Sequence, residues 1–221
     1  MELFHNIIQE RIEITDNNQI GKNSKIINVH HHFNQKIYEF PQYLVYLNLG
    51  CNFNQKIKEF PEHLLYLHFR WEFNQEIKEF PKHLIYLCLG ISFDKEIKEF
   101  PQYLLYLELG YSFNQEINKF PQYLIYLNLG YEFNKEIKEF PQIYYLELGN
   151  NFNREINYFP QYLIYLDLGW DFNSKIKQFS QYLLHLDLAG EFDQEQYNYP
   201  KSLTKIKYRA YQKHLVPEHL L

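Results

Sequence analysis

A chain of 221 residues and 27.3 kDa is the size of one domain or one short repeat array, and is too short for several globular domains. Its net charge of -5 and pI near 6.1 provide no general electropositive surface for nucleic acid or acidic membrane, and two cysteines allow at most one bridge, a poor frame for a secreted scaffold. The unusual figure is the aromatic fraction of 19%, with 21 Tyr and 19 Phe against one Met.

No apolar run approaches the roughly 20 residues of a membrane span, and the start, MELFHNIIQER, lacks a basic front or a long apolar core. The expectation is a soluble cytoplasmic protein. In residues 1–32, Leu3, Phe4, Ile7, Ile8 and Ile12 recur at three and four residues, a pattern that fits a short capping helix. Ile27, Asn28 and Val29 then match the strand pattern described below, so residues 1–32 read as a cap plus a degenerate first repeat. His30, His31 and His32 follow. Consecutive strand residues point to alternate sides, so no metal site is expected of them.

From Phe33 onward one unit repeats, as in FNQKIYEFPQYLVYLNLGCN. Its leading Phe falls at 33, 53, 73, 93, 113, 133, 152, 172 and 192, a period of 20 broken once by a step of 19. Such self-similarity marks a stacked repeat architecture. In each unit Leu47 and Leu49, or their equivalents, alternate with outward residues such as Tyr46 and Asn48, the period-2 signature of a short strand with one buried face. The dozen residues that return to the next strand are too few for a helical crossover, and the Pro at 41 and its equivalents hold them extended.

The predicted fold is therefore a single-domain, mainly β solenoid over residues 33–208, with 20-residue turns. About ten parallel strands, from Ile27 to Tyr208, line one face, and extended or 3₁₀ returns line the other. The rows of Phe33, Ile37, Phe40, Leu44, Leu47 and Leu49 point inward and form spines with a spacing of about 4.8 Å. The 19-residue step falls in FPQIYYLEL, where the residue equivalent to Tyr43 is missing. A deletion in the corner before the strand keeps inward and outward faces in phase. Residues 209–221 read as a C-terminal cap and tail, closing over a turn in which Asp187, Glu191, Asp193 and Glu195 are followed by Lys201, Lys205, Lys207, Arg209 and Lys213.

LxxLxLGxxFNQxI, seen at Leu104 to Ile117 and, with Lys135 at the Gln position, at Leu124 to Ile137, resembles the FNIP repeat, a leucine-rich-repeat-like unit found in amoebae and the giant viruses that infect them. The resemblance implies a leucine-rich-repeat-like solenoid and an interaction scaffold without chemistry of its own, residing in the host cytoplasm if viral. It departs from the family at the Pro of FNQPI, replaced here by Lys36, Lys56 or Glu76, with Phe-Pro placed ahead of the strand instead. The 32 residues before the array leave no expectation of an F-box.

The row Asn34, Asn54, Asn74, Asp94, Asn114, Asn134, Asn153, Asn173 and Asp193 reads as a structural ladder that bonds buried corner amides. The strand face carries a Tyr row at 46, 66, 86, 106, 126, 145 and 165. Beside it runs an exposed column of Asn48, His68, Cys88, Glu108, Asn128, Glu147, Asp167 and Asp187, and then a row with Trp71, Ile91, Tyr111, Tyr131, Asn150 and Trp170. Aromatic area with acidic neighbours suits a protein partner rich in Lys or Arg. The partner-binding candidates are Tyr66, Trp71, Tyr86, Tyr106, Glu108, Tyr111, Tyr126, Tyr131, Tyr145, Glu147, Tyr165, Asp167, Trp170 and Asp187.

Two other binding readings fit less well: a carbohydrate module using the same rings, or a structural protein that self-associates, as a homodimer through the N-terminal cap. Nucleic acid is disfavoured by the carboxylates, and no cofactor is expected. His68, Cys88 and Glu108 are the one triad-like set, but on an open sheet expected to lack a pocket they do not suggest an enzyme.

Overall fold

The computed structural model describes residues 13–190, 192 and 199–208. Eleven strands form one all-parallel sheet in sequential order. They are β1 (Glu13–Ile14), β2 (Ile26–Val29), β3 (Tyr46–Asn48), β4 (Tyr66–His68), β5 (Tyr86–Cys88), β6 (Tyr106–Glu108), β7 (Tyr126–Asn128), β8 (Tyr145–Glu147), β9 (Tyr165–Asp167), β10 (His185–Leu188) and β11 (Lys205–Tyr208). Every turn adds one strand in strict register, for example Tyr106 to Tyr126 and Leu107 to Leu127, so equivalent residues form straight columns across the sheet.

Ahead of the repeat, β1 adds a strand that the periodicity does not reveal. Glu13 pairs with Asn28 and Ile14 with Val29, which places the buried Ile14 in the Leu49 column, and a connection containing the 3₁₀ segment Asn17–Gln19 leads on to β2. No LxxLxL precedes it; the pairing follows from the open edge of β2. The capping segment Leu3 to Ile12, the ladder residue Asp193, Glu191, Glu195 and the C-terminal cap beyond Tyr208 lie outside the described residues.

Each turn has two tight corners. One runs from Pro41 to Leu44, where the Leu44 amide donates to the Pro41 carbonyl at 3.1 Å; the other runs from Gly50 to Phe53, where the Phe53 amide donates to the Gly50 carbonyl at 3.2 Å. The missing residue of the 19-residue unit lies in the first kind of corner, and Tyr126 still pairs with Tyr145. Inward and outward faces therefore stay in phase through the deletion. At the second corner the turns nearly touch. A Cβ on Gly110 would stand 1.8 Å from the Gly90 carbonyl oxygen, so only glycine fits there.

The core is continuous, from Ile14 and Ile27 to Ile206, with Leu47, Leu107 and Leu127 fully buried. The Phe spine departs from the expected 4.8 Å spacing. Its near-parallel rings stand 6.1 Å apart from Phe73 to Phe93 and 6.2 Å from Phe93 to Phe113. On the strand side the parallel rings of Tyr106 and Tyr126 are 4.2 Å apart. Rings in one orientation on successive turns are related by the turn-to-turn translation, so the array fans outward and curves with its strands on the concave side. Ile57, Ile77, Ile117, Ile137, Phe40, Phe60 and Phe80 are only partly buried, where full burial is expected from the sequence, whereas Ile97, Ile156, Phe100 and Phe159 in the same columns are buried.

The Asn row forms a chain of bonds between turns. The amide of Asn114 donates to Asp94 Oδ1 at 2.9 Å, and that of Asn134 to Asn114 Oδ1 at 3.1 Å; the series runs from Asn34 through Asn54, Asn74, Asn153 and Asn173. The ladder residues themselves are half-buried or exposed, although each directly follows a buried Phe.

These contacts rank three substitutions by denaturant unfolding. Leu107→Ala removes a fully buried side chain and should lose about 2–5 kcal/mol. Gly110→Ala forces the backbone apart and should lose about 1–3 kcal/mol. Asn114→Ala removes an acceptor that water can replace, so the loss should be about 0.5–1.5 kcal/mol.

A candidate protein-binding groove on the strand face

The outward residues of the strands do not stand on a flat, open sheet. A groove of about 510 Å³ runs across β4 to β9, lined by His68, Cys88, Glu108, Asn128, Glu147 and Asp167 along its floor and by Trp71, Ile91, Tyr111, Tyr131 and Asn150 along one wall. The wall residues follow the glycine corner, and their backbones are tied turn to turn, as where the Ser112 amide donates to the Ile91 carbonyl at 2.9 Å and that of Glu132 to Tyr111 at 2.9 Å. Trp71 is 56% exposed and Tyr111 45%, and the rings of Tyr111 and Tyr131 stack at 4.3 Å. On the other side of the floor stands the Tyr row, whose members Tyr86, Tyr106 and Tyr126 stack at 4.5 and 4.2 Å.

The floor column is more enclosed than its expected exposure. Asn48, Cys88, Asp167 and Asp187 are buried, and His68, Glu108, Asn128 and Glu147 are half-buried. Tyrosine hydroxyls reach over it: Tyr126 donates to Glu147 Oε1 at 2.9 Å, Tyr106 to Glu108 Oε2 at 3.4 Å and Tyr165 to Asp187 Oδ2 at 3.2 Å. Burial, then the neighbouring Glu108 charge, pushes the Tyr106 hydroxyl up to about 12. Burial likewise raises Tyr126, with the Glu147 charge adding to it. Asn128 Nδ2 donates to Glu147 Oε2 at 2.8 Å, and Asp167 Oδ1 accepts the Gly169 amide at 2.8 Å.

Of the sequence candidates, Trp71, Glu108, Tyr111, Tyr131, Glu147 and Asp167 line this groove. Tyr86, Tyr106 and Tyr126 flank it, with Tyr66, Tyr145 and Tyr165 continuing their row. Trp170 is exposed one turn beyond the lining. Asp187 is held by Lys207 Nζ at 3.4 Å, its partner in register on β11. A second aromatic row, absent from the sequence candidates, flanks the strands' other end: Tyr43, Tyr103, Tyr123, Tyr162 and Tyr182 are exposed, and Tyr103 stacks with Tyr123 at 6.2 Å. Its signal was the Tyr of the repeated PQYL, which reads simply as a corner residue.

Although His68, Cys88 and Glu108 meet in a groove and not on a bare sheet, the set is not activated. Burial and then the Glu108 charge push the Cys88 thiol well above its ordinary range, which favours the protonated and unreactive form. Burial and then Arg70 lower His68 to about 4. His30, His31 and His32 also differ from expectation, because β2 ends at Val29 and the chain turns. Their rings gather at 3.9, 3.9 and 5.4 Å, but they lie ring against ring, and among the described residues no group of three or more His, Cys, Asp or Glu could hold a metal ion.

Two measurements check this chemistry. A thiol reagent should modify Cys51 promptly in the native protein and Cys88 only on unfolding, since Cys51 is half-buried and Cys88 is 6% exposed; equal rates would contradict the inert Cys88. The unfolded chain takes up the His68 proton near 6.5, whereas the folded chain resists it until about 4. Stability should therefore fall as pH drops through that window. His68→Asn, with the residue that Asn48 and Asn128 place in this column, should flatten that slope.

Residues 73–112 match the FNIP Repeat family, and no curated protein matches the chain. Among solved structures, the giant-virus protein CroV588, described as a novel circular LRR protein structure, is 35% identical with a TM-score of 0.79 over 90% of this chain. This chain spans 32% of the length of CroV588. The units before and after residues 73–112 keep the same register and corners, so the chain is built throughout as a leucine-rich-repeat-like solenoid of units similar to the FNIP repeat.

Proposed function

We propose that this protein is a non-enzymatic interaction scaffold that holds a basic segment of a protein partner in the groove across β4 to β9. The observation that carries the reading is the pairing of a carboxylate floor, Glu108, Glu147 and Asp167, with an aromatic and apolar wall of exposed Trp71, Ile91 and Tyr111 and half-buried Tyr131. Rigid rings supply contact area at little entropic cost, and the carboxylates select partners by charge. The same charges disfavour nucleic acid. Two free thiols fit a reducing compartment such as the cytoplasm. Among the described residues no helix is long and apolar enough to cross a membrane.

Selection from a displayed random-peptide library tests the reading. Enriched peptides should carry net positive charge. Their binding should weaken with added salt and fall at least about tenfold with Glu108→Gln, Tyr111→Ala and Tyr131→Ala combined, as loss of central aromatic anchors commonly does. Enrichment of neutral or acidic peptides, or binding indifferent to this variant, would reject the groove.

A further inference from the structure

The two ends of the groove differ. From β3 to β9 the residue two places beyond each strand is glycine, as at Gly50, Gly90, Gly110 and Gly130, except after β4, where it is Arg70. The Arg70 side chain is exposed and lines the groove, and its Nε donates to Asn48 Oδ1 at 3.3 Å. It therefore reaches back from the β4 turn across the floor position of β3. Where Gly90, Gly110 and Gly130 leave the passage between floor and wall clear, Arg70 bars it, with the exposed Trp71 beside it, and the lining stops at this turn. Beyond Nε, the guanidinium has no partner among the described residues. Arg70 and Glu108 form no ion pair with each other, and the turn of Cys88 separates them. The groove thus has a cationic, closed end at β4 and a carboxylate floor further along.

We propose that the groove captures the C-terminus of its protein partner, with the terminal carboxylate on Arg70 and basic residues upstream over Glu108 and Glu147. This rests on the scaffold reading above and adds which end of the partner is held and in which direction it lies. A guanidinium pairs with a carboxylate through two parallel charge-assisted bonds, and terminal carboxylates are a recurring handle in peptide recognition. A segment entering in the opposite direction would bring its terminal ammonium against Arg70, like charge to like charge. An acidic side chain within a longer segment would satisfy the guanidinium, but its chain would still have to cross the Arg70 side chain to continue. Only a chain that ends there meets both the charge and the bar. Between the two charged regions the lining is neutral, with Cys88 on the floor and Ile91 on the wall.

The test selects on the full chain from random peptides displayed with a free C-terminus. Each enriched sequence is then synthesised as the free acid, as the amide, and as the acid extended by Gly-Ser-Gly, and its affinity is measured by fluorescence anisotropy. The free acid should bind at least about tenfold tighter than either other form. Arg70→Gln should leave the melting temperature unchanged and bring the acid down to the affinity of the amide. Arg70→Gly, which restores the residue of the other corners, should in addition let the extended form bind as well as the acid. Glu108→Gln should weaken all three forms together. An amide that binds the unaltered protein as tightly as the acid would overturn the capture of a carboxylate, and an extended form that does so would overturn the closed end; either result leaves the basic-partner reading in place. Failure of this selection and of the earlier one alike would remove the scaffold reading as well.

Discussion

The hydrogen-bonded register between successive parallel strands is the constraint on which the rest of this molecule depends. A one-residue slip would exchange inward Leu107 for outward Glu108 and destroy core and groove together. Because every pair from β3 onward keeps the same alignment, each residue of the repeat acquires a column, and each column has a single environment. Leucines become a continuous spine, asparagines a bonded series, and the residues at 71, 91, 111 and 131 a wall.

Register alone would yield a straight stack; the curvature comes from a mismatch between the two sides of each turn. Backbone pairing holds the strands at their short spacing, while the bulky Phe rings on the far side stand about 6.2 Å apart. The strand face therefore closes on itself, Tyr86, Tyr106 and Tyr126 in the middle of the Tyr row come into stacking distance, and the hydroxyls of Tyr106 and Tyr126 reach the carboxylates of the floor. Burial of that column follows from the same mismatch, and burial is what keeps Cys88 protonated and His68 neutral. A solenoid with this curvature has a structural counterpart in CroV588, a circular leucine-rich-repeat protein about three times as long.

The variable residues sit where the fold tolerates variation. The Leu and Phe columns are nearly invariant through the array, whereas the floor passes from Asn48 and His68 to Cys88, Glu108 and Asp167. An inward column is limited by volume, since any gap costs stability. A floor residue needs only to satisfy its polar atoms through a neighbouring hydroxyl, amide or backbone group, and Asn, Glu and Asp each do so here in their own way.

The 20-residue period, the alternation of Leu47 and Leu49 with Tyr46 and Asn48, and the corner position of the deletion before Ile143 were legible in the sequence, because each depends on which residue follows which. β1 was not, because Glu13–Ile14 carries no periodic mark and is recruited by the open edge of β2. Nor was the groove: Glu108 and Tyr111 are near neighbours in sequence, but whether they form a floor and a wall depends on curvature accumulated over many turns. The gathering of His30, His31 and His32 likewise depended on where β2 stops. The sequence by itself determined the columns, since identical residues at a fixed interval must stack. Only the tertiary structure decided how far apart those columns stand on each side of the coil, because that distance is a compromise between backbone hydrogen bonds on one face and ring volume on the other.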